Sequence, residues 1–180
     1  MALKNRKDMD PRFQWKLSDI FETPEAWEAA YAKAKKAVEE LGALEGTLKQ
    51  SAESLKSGLD QIYAATEQVE LVYLYANLSK SGDNGDPEAQ RLEGRAMSLY
   101  VALSTALSFV DPEILSIPKE TLDAWMALPE LQEYHHILED TDRQRPYSLP
   151  AAQEKMLAQL SDAAGAPDDA FTMLESVDMS

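Results

Sequence analysis

Cysteine is absent from the 180-residue chain. That excludes a disulfide framework, a thiolate metal site and a cysteine nucleophile. Histidine occurs only twice, as the adjacent pair His135 and His136, which leaves little room for imidazole acid–base chemistry. Glycine is scarce at seven residues, which argues against an all-β chain rich in tight turns. Cations are few: Lys and Arg total 17 against 32 Asp and Glu, for a net charge of −15. Such a field repels phosphate backbones and anionic lipid, so nucleic-acid and membrane partners are not expected. Long apolar runs are missing too. The richest, residues 69–78, is about ten residues long, too short to cross a bilayer. The first eight residues carry positive charge with no apolar stretch behind them, so no signal peptide is expected. The chain also lacks GxGxxG, P-loop, GxSxG and HExxH motifs.

The residues present read as helix. Hydrophobic residues make up 44%, enough for a core at this length. Ala, Leu, Glu and Lys are plentiful. Three tripeptides, Thr23-Pro24-Glu25, Asp86-Pro87-Glu88 and Asp111-Pro112-Glu113, each place a capping side chain before a proline and a first-turn glutamate. After Thr23, the residues Trp27, Tyr31, Ala34, Val38 and Leu41 form one stripe, closed by Gly42 and Gly46. A second pattern starts near Ser51 with Leu55, Leu59, Ile62, Thr66, Val69, Tyr73 and Ala76. Leu71, Val72, Leu74, Tyr75 and Leu78 fill its other faces, so its second half is expected to be buried nearly all round. Ser81-Gly82-Asp83-Asn84-Gly85-Asp86 is a turn, and the returning stripe is Leu92, Ala96, Leu99, Leu103, Ala106 and Val110. Together they predict a long antiparallel hairpin, roughly 51–80 and 87–110.

Residues 111–140, broken by Pro112, Pro118 and Pro129, predict three short helices. These carry Ile114 and Leu115, then Leu122, Trp125 and Met126, then Leu131, Tyr134 and Leu138. A polar loop follows to Pro150, and a last helix carries Gln153, Met156, Leu157, Leu160 and Ala164. Gly165-Ala166-Pro167 is expected to end it, with one further short helix over 168–175. Ahead of the helices, residues 1–22 read as an extended arm. Phe13, Trp15 and Leu17 alternate to one side of it, and it is strapped onto the helices or onto a partner. The expectation is an all-α, helical-bundle domain over 23–180.

Candidate chemistry is sparse. Adjacent helical residues point about 100° apart, so His135 and His136 cannot readily share one ion. His136 and Glu139 have an i, i+3 spacing seen in some metal sites, but the expectation is no metal ligand and His135 at the edge of a packed face. Pairs such as Glu39-Glu40 and Asp168-Asp169 are expected on solvated faces. Arg143 and Arg145 form the one local basic cluster. They could clamp an anion or another domain, or close a helix end against Glu139, Asp140 and Asp142, which is the favoured reading. No catalytic, cofactor-binding or metal residue is assigned.

Several motifs in this order resemble those of oligoendopeptidase F proteins. Phe13-Gln14-Trp15-Lys16-Leu17-Ser18-Asp19-Ile20-Phe21 is similar to that family's W-x-L-x-D-I-F opening, with Trp27 following at the family's spacing. Pro112-Glu113-Ile114-Leu115 with Ile117-Pro118 resembles P-E-I-L-x-x-P. Leu131, Tyr134, His135, Arg143, Arg145, Pro146, Leu149, Glu154 and Lys155 resemble the stretch that follows, with Pro150 where the family usually has a capping Ser. Gly165-Ala166-Pro167, Phe171 and Leu174 resemble the end of the family's N-terminal region. The resemblance implies an all-helical N-terminal domain of a zinc metallopeptidase, mostly cytoplasmic, that hydrolyses short peptides. This domain would cover the substrate channel. The zinc ligands would lie in a C-terminal catalytic domain beyond Ser180, with none among the residues here. The alternative is a stand-alone helical protein-interaction module. Apolar residues left over on 69–78 and in the arm also lead to an expected homodimer, through a face including Tyr73 or Tyr75.

Overall fold

A computed structural model describes residues 9–147 and 151–175. Seven helices follow in order: α1 Pro24–Leu41, α2 Ala52–Gly82, α3 Pro87–Leu107, α4 Val110–Leu115, α5 Lys119–Met126, α6 His135–Arg143 and α7 Ala151–Met173. A six-residue 3-10 helix, Pro129–Tyr134, precedes α6. No strand occurs among the described residues. The all-α expectation and the long hairpin therefore hold.

Side-chain caps start three of these helices, two of them at the expected Thr23 and Asp86 and the third at Ser51, where the second pattern begins. Thr23 Oγ1 accepts from the Ala26 amide at 3.2 Å, Ser51 Oγ from that of Ser54 at 3.1 Å, and Asp86 Oδ1 from that of Glu88 at 2.9 Å. The third Pro-Glu tripeptide behaves differently from expectation. The helix has already begun at Val110, so Asp111 lies inside α4 and Pro112 occupies its third position. The first turn has no intrahelical use for its amides, so a proline is tolerated there without a cap before it.

The chain forms two compact units. The first comprises the described parts of Met1–Lys36, Glu67–Ala102 and Leu160–Ser180. Residues 67–82 of α2 and 87–102 of α3 are its hairpin, and Trp27, Ala34, Val69, Val72, Ala76, Ala96 and Leu99 are buried. Burial of 69–78 is one-sided, not all-round. Leu71 and Leu74 remain 43% and 44% exposed, because they sit on the flank of α2 away from Val69, Val72 and Ala76. The arm is not simply extended either. It carries 3-10 turns at Pro11–Phe13 and Leu17–Asp19, which break the alternation. Phe13 is 76% exposed and Trp15 53%, while Phe21 packs edge-on to Tyr75 with centroids 5.6 Å apart.

The second unit comprises Ala37–Thr66 and the described parts of Leu103–Gln159. Leu48, Leu55, Ile114, Ile117, Leu122, Leu131 and Leu138 form its fully buried centre. Leu48 reaches it because α2 carries Gly58 at the crossing: a Cβ there would stand 2.2 Å from Leu48 Cδ2.

One boundary departs from expectation. Residues 165–167 do not end the last helix, since α7 runs through Pro167 to Met173. Proline removes one amide and costs about 3 kcal/mol, but Ala163, Ala164, Ala166 and Ala170 flank it, and alanine is the strongest helix former.

Candidate functional site

The sequence candidates for chemistry are scattered. His135 and His136 are both exposed. His136 Nε2 lies 3.5 Å from an Asp140 carboxylate oxygen on its own helix and meets no second acid. Among the described residues no three His, Asp or Glu side chains converge where a metal could sit.

Arg143 and Arg145 close a helix end. Arg143 pairs with Asp140 at 2.9 Å and Glu139 at 3.4 Å. Arg145 pairs with Asp142 at 2.7 Å and donates to the carbonyls of Leu115 and Ile117. Those carbonyls lie at and beyond the end of α4, where no intrahelical donor remains. Asp142 also receives Lys119 at 3.0 Å, and these two cations hold its carboxyl below the usual aspartate range.

Three polar clusters are built from residues distant in sequence. In the first unit the Arg95 guanidinium lies 5.0 Å above Trp27 and 4.5 Å above Tyr31. It also forks onto both Glu28 oxygens at 2.6 and 2.7 Å. Trp27 is buried beneath, its indole Nε1 donating to the Val72 carbonyl at 3.0 Å. In the second unit the Tyr134 hydroxyl donates to Asp60 at 2.7 Å, beside Lys56 at 2.8 Å. Burial, then the Asp60 carboxylate, push the phenol well above its ordinary value.

The third cluster centres on Glu113, only 7% exposed. Its carboxylate accepts the Gly46 amide at 2.6 Å and the Lys49 amide at 3.2 Å, tying down the loop between α1 and α2. Gly46 there has φ +85°, the left-handed region that favours glycine. The sequence marks Glu113 only as a first-turn helix acid. No local pattern announces a partner 67 residues away.

An open concavity lies in the first unit, between α2 and α3. It is a groove of about 590 Å³. Tyr73 and Tyr100 stand with ring centroids 5.5 Å apart. Leu71, Leu74 and Met97 complete the apolar surface, with Glu67 and Glu70 at one end and Asn77 at the other. Such a shape, apolar with a few polar groups, suits binding, and it brings together no nucleophile and base. The sequence puts Tyr73 on the apolar stripe of the hairpin, with Tyr73 or Tyr75 in an expected dimer face, and leads one to expect Leu71 and Leu74 to be buried. Among the described residues no single helix is long and apolar enough to cross a membrane.

Comparison with known proteins gives one consistent answer. The family described as Oligopeptidase F matches residues 113–180. A plasmid-borne oligoendopeptidase F of Lactococcus lactis subsp. cremoris is 30% identical over 181 residues, covering 98% of this chain and 30% of that protein. Oligopeptidase PepF of Bacillus subtilis strain 168 is 30% identical over 178 residues, covering 98% of this chain and 27% of that protein. The crystal structure of oligoendopeptidase-F from Enterococcus faecium superposes with a TM-score of 0.78 at 27% identity, over 84% of this chain and 30% of that one. The chain thus spans under a third of the length of these relatives.

Proposed function

The chain has the sequence and fold of the N-terminal region of an oligoendopeptidase F-like peptidase, and from that premise we propose that it is the helical domain covering the substrate channel of a zinc metallopeptidase that cleaves short peptides. The zinc and its ligands belong, in this reading, to a catalytic domain of the same parent chain. A cytoplasmic location is part of the same proposal and rests on the family resemblance.

The observation that carries the reading is the match along 98% of the chain, at 30% identity, to peptidases more than three times as long. A physical feature supports it. Leu160 and Phe171 on the first unit's part of α7 are each more than half exposed. Burying a side chain of that size gains about 1.5–3 kcal/mol, so a further domain seated on α7 would be strongly held. The same face favours the second reading, a helical protein-interaction module, in which a separate protein takes that seat.

The deciding experiment compares a parent peptidase with a version lacking this domain. The domain confers selectivity by size and does no bond cleavage. The intact parent should therefore cleave short peptides and spare folded proteins. Removal should keep zinc with the remainder and relax or abolish that selectivity. Stoichiometric zinc and chelator-sensitive peptidase activity copurifying with the 180-residue chain alone would refute the reading. A gene with no HExxH downstream would leave the interaction module.

A further inference from the structure

We propose that the groove between α2 and α3 is a docking site for a short peptide carrying one large apolar side chain and one cationic group about two to three residues away. The proposal rests on the reading above for its ligand class, peptides, and goes beyond it by giving this domain a recognition surface of its own.

The apolar half of the argument comes from exposure. Leu71 and Leu74 stand 43% and 44% in water and Tyr100 42%, and with Tyr73 and Met97 they line one continuous hollow. A volume of about 590 Å³ lies within the 300–1,000 Å³ typical of ligand pockets, in roughly that range. Tyrosines give rigid contact area with a polar tip, and the methionine adapts to the shape presented.

The electrostatic half fixes the occupant. Among the described residues, the charged side chains lining the groove are Glu67 and Glu70. Neither has an ion pair among the described residues, and no cationic side chain lines the hollow. The chain carries −15 overall, so a second copy approaches against repulsion, whereas a cationic ligand is drawn in. Spacing follows from helix geometry. Glu70 precedes Leu74 by one turn, about 6 Å along the axis at 1.5 Å per residue. Glu67 precedes it by about 10 Å. An extended peptide advances about 3.3 Å per residue, so a Lys or Arg at these carboxylates lies about two or three residues from the side chain on Leu74.

The test is calorimetric titration of the 180-residue chain with acetyl-Arg-Ala-Phe-Ala-amide, alongside the peptides in which Glu replaces Arg or Ser replaces Phe. The Arg peptide should bind at least fivefold more tightly than the Glu peptide, and the Ser peptide should not bind measurably. Glu67→Lys/Glu70→Lys should weaken the Arg peptide about tenfold and reverse the preference. Leu74→Ser should weaken both Phe peptides. Both variants alter exposed positions, and circular dichroism checks that they fold. Equal binding of the Arg and Glu peptides, or amide shifts confined to α7, would overturn the proposal. So would sedimentation showing a dimer that Leu74→Ser dissolves, since a second copy would then fill the groove. A groove that binds no peptide while the parent still cleaves peptides sinks this proposal alone. Binding that persists on a parent inactive toward peptides supports the groove and removes the peptidase reading.

Discussion

Replacing Glu113 should loosen the second unit through a loop that is remote in sequence. The carboxylate is 7% exposed and accepts two backbone amides, Gly46 at 2.6 Å and Lys49 at 3.2 Å. A hydrogen bond to a charged group contributes about 1.5–3 kcal/mol, so the pair is worth about 3–6 kcal/mol before discounting. Gly46 is half-buried and Lys49 exposed, so water replaces part of this when the acid is removed. Glu113→Ala should therefore cost about 2–3 kcal/mol. Glu113→Gln keeps one acceptor but turns an amide donor toward the other N–H, and should cost about 1–2 kcal/mol. In urea, with a slope of about 2 kcal/mol/M, the Ala variant's midpoint should fall by about 1–1.5 M. Hydrogen exchange gives the local readout: the Gly46 and Lys49 amides should lose protection in both variants. If both melt within about 0.5 kcal/mol of the parent chain and those amides stay protected, Glu113 does not hold the loop.

Arg95→Lys should cost about 1 kcal/mol, because an ammonium cannot fork onto Glu28 while stacking over Trp27 and Tyr31; thermal melts and a change in tryptophan emission would report it. Gly58→Ala should destabilise by about 1–2 kcal/mol, since the clash with Leu48 outweighs the helix-propensity gain of about 1 kcal/mol. Combined with Leu48→Ala it should cost clearly less than the two single changes added, and simple additivity would refute the contact. Asp142→Asn should cost about 1–2 kcal/mol near neutrality. The folded-state pKa of Asp142 lies below the ordinary 3.8, so its contribution is full above that value and lost as pH falls through the lowered one. The gap between parent and variant denaturation curves should therefore narrow as pH falls below 3.8, and a gap that does not narrow between about pH 4 and pH 2 would exclude this role.

The sequence revealed the helices most clearly where an apolar stripe and a cap coincide, as at Thr23 with Trp27 and Tyr31. It revealed the hairpin because two stripes flank a run of turn residues. What escaped it depends on distant partners. Asp111 and Glu113 carry a helix-start signature, but the use of Glu113 is set by amides in another loop. Leu71 and Leu74 look like core residues, and only the placement of α3 shows that they border a groove. Pro167 signals a stop, yet α7 continues through it to Met173. The favoured pairing of Arg143 and Arg145 with nearby acids was readable from local charge, whereas the bonds from Arg145 to the Leu115 and Ile117 carbonyls were not.

The interleaving of the two units along the chain bears on how the molecule assembles as it is made. Neither unit is a continuous stretch. One draws on Met1–Lys36, Glu67–Ala102 and Leu160–Ser180, the other on Ala37–Thr66 and Leu103–Gln159. Hence neither can be completed while its N-terminal portion alone has left the ribosome. Val72 follows Trp27 by 45 residues, and Glu113 follows Gly46 by 67, so each contact waits for that length of chain. Closing such loops costs entropy before contacts repay it. Each unit should therefore gain its long-range contacts late, only once its distant segments have been synthesised.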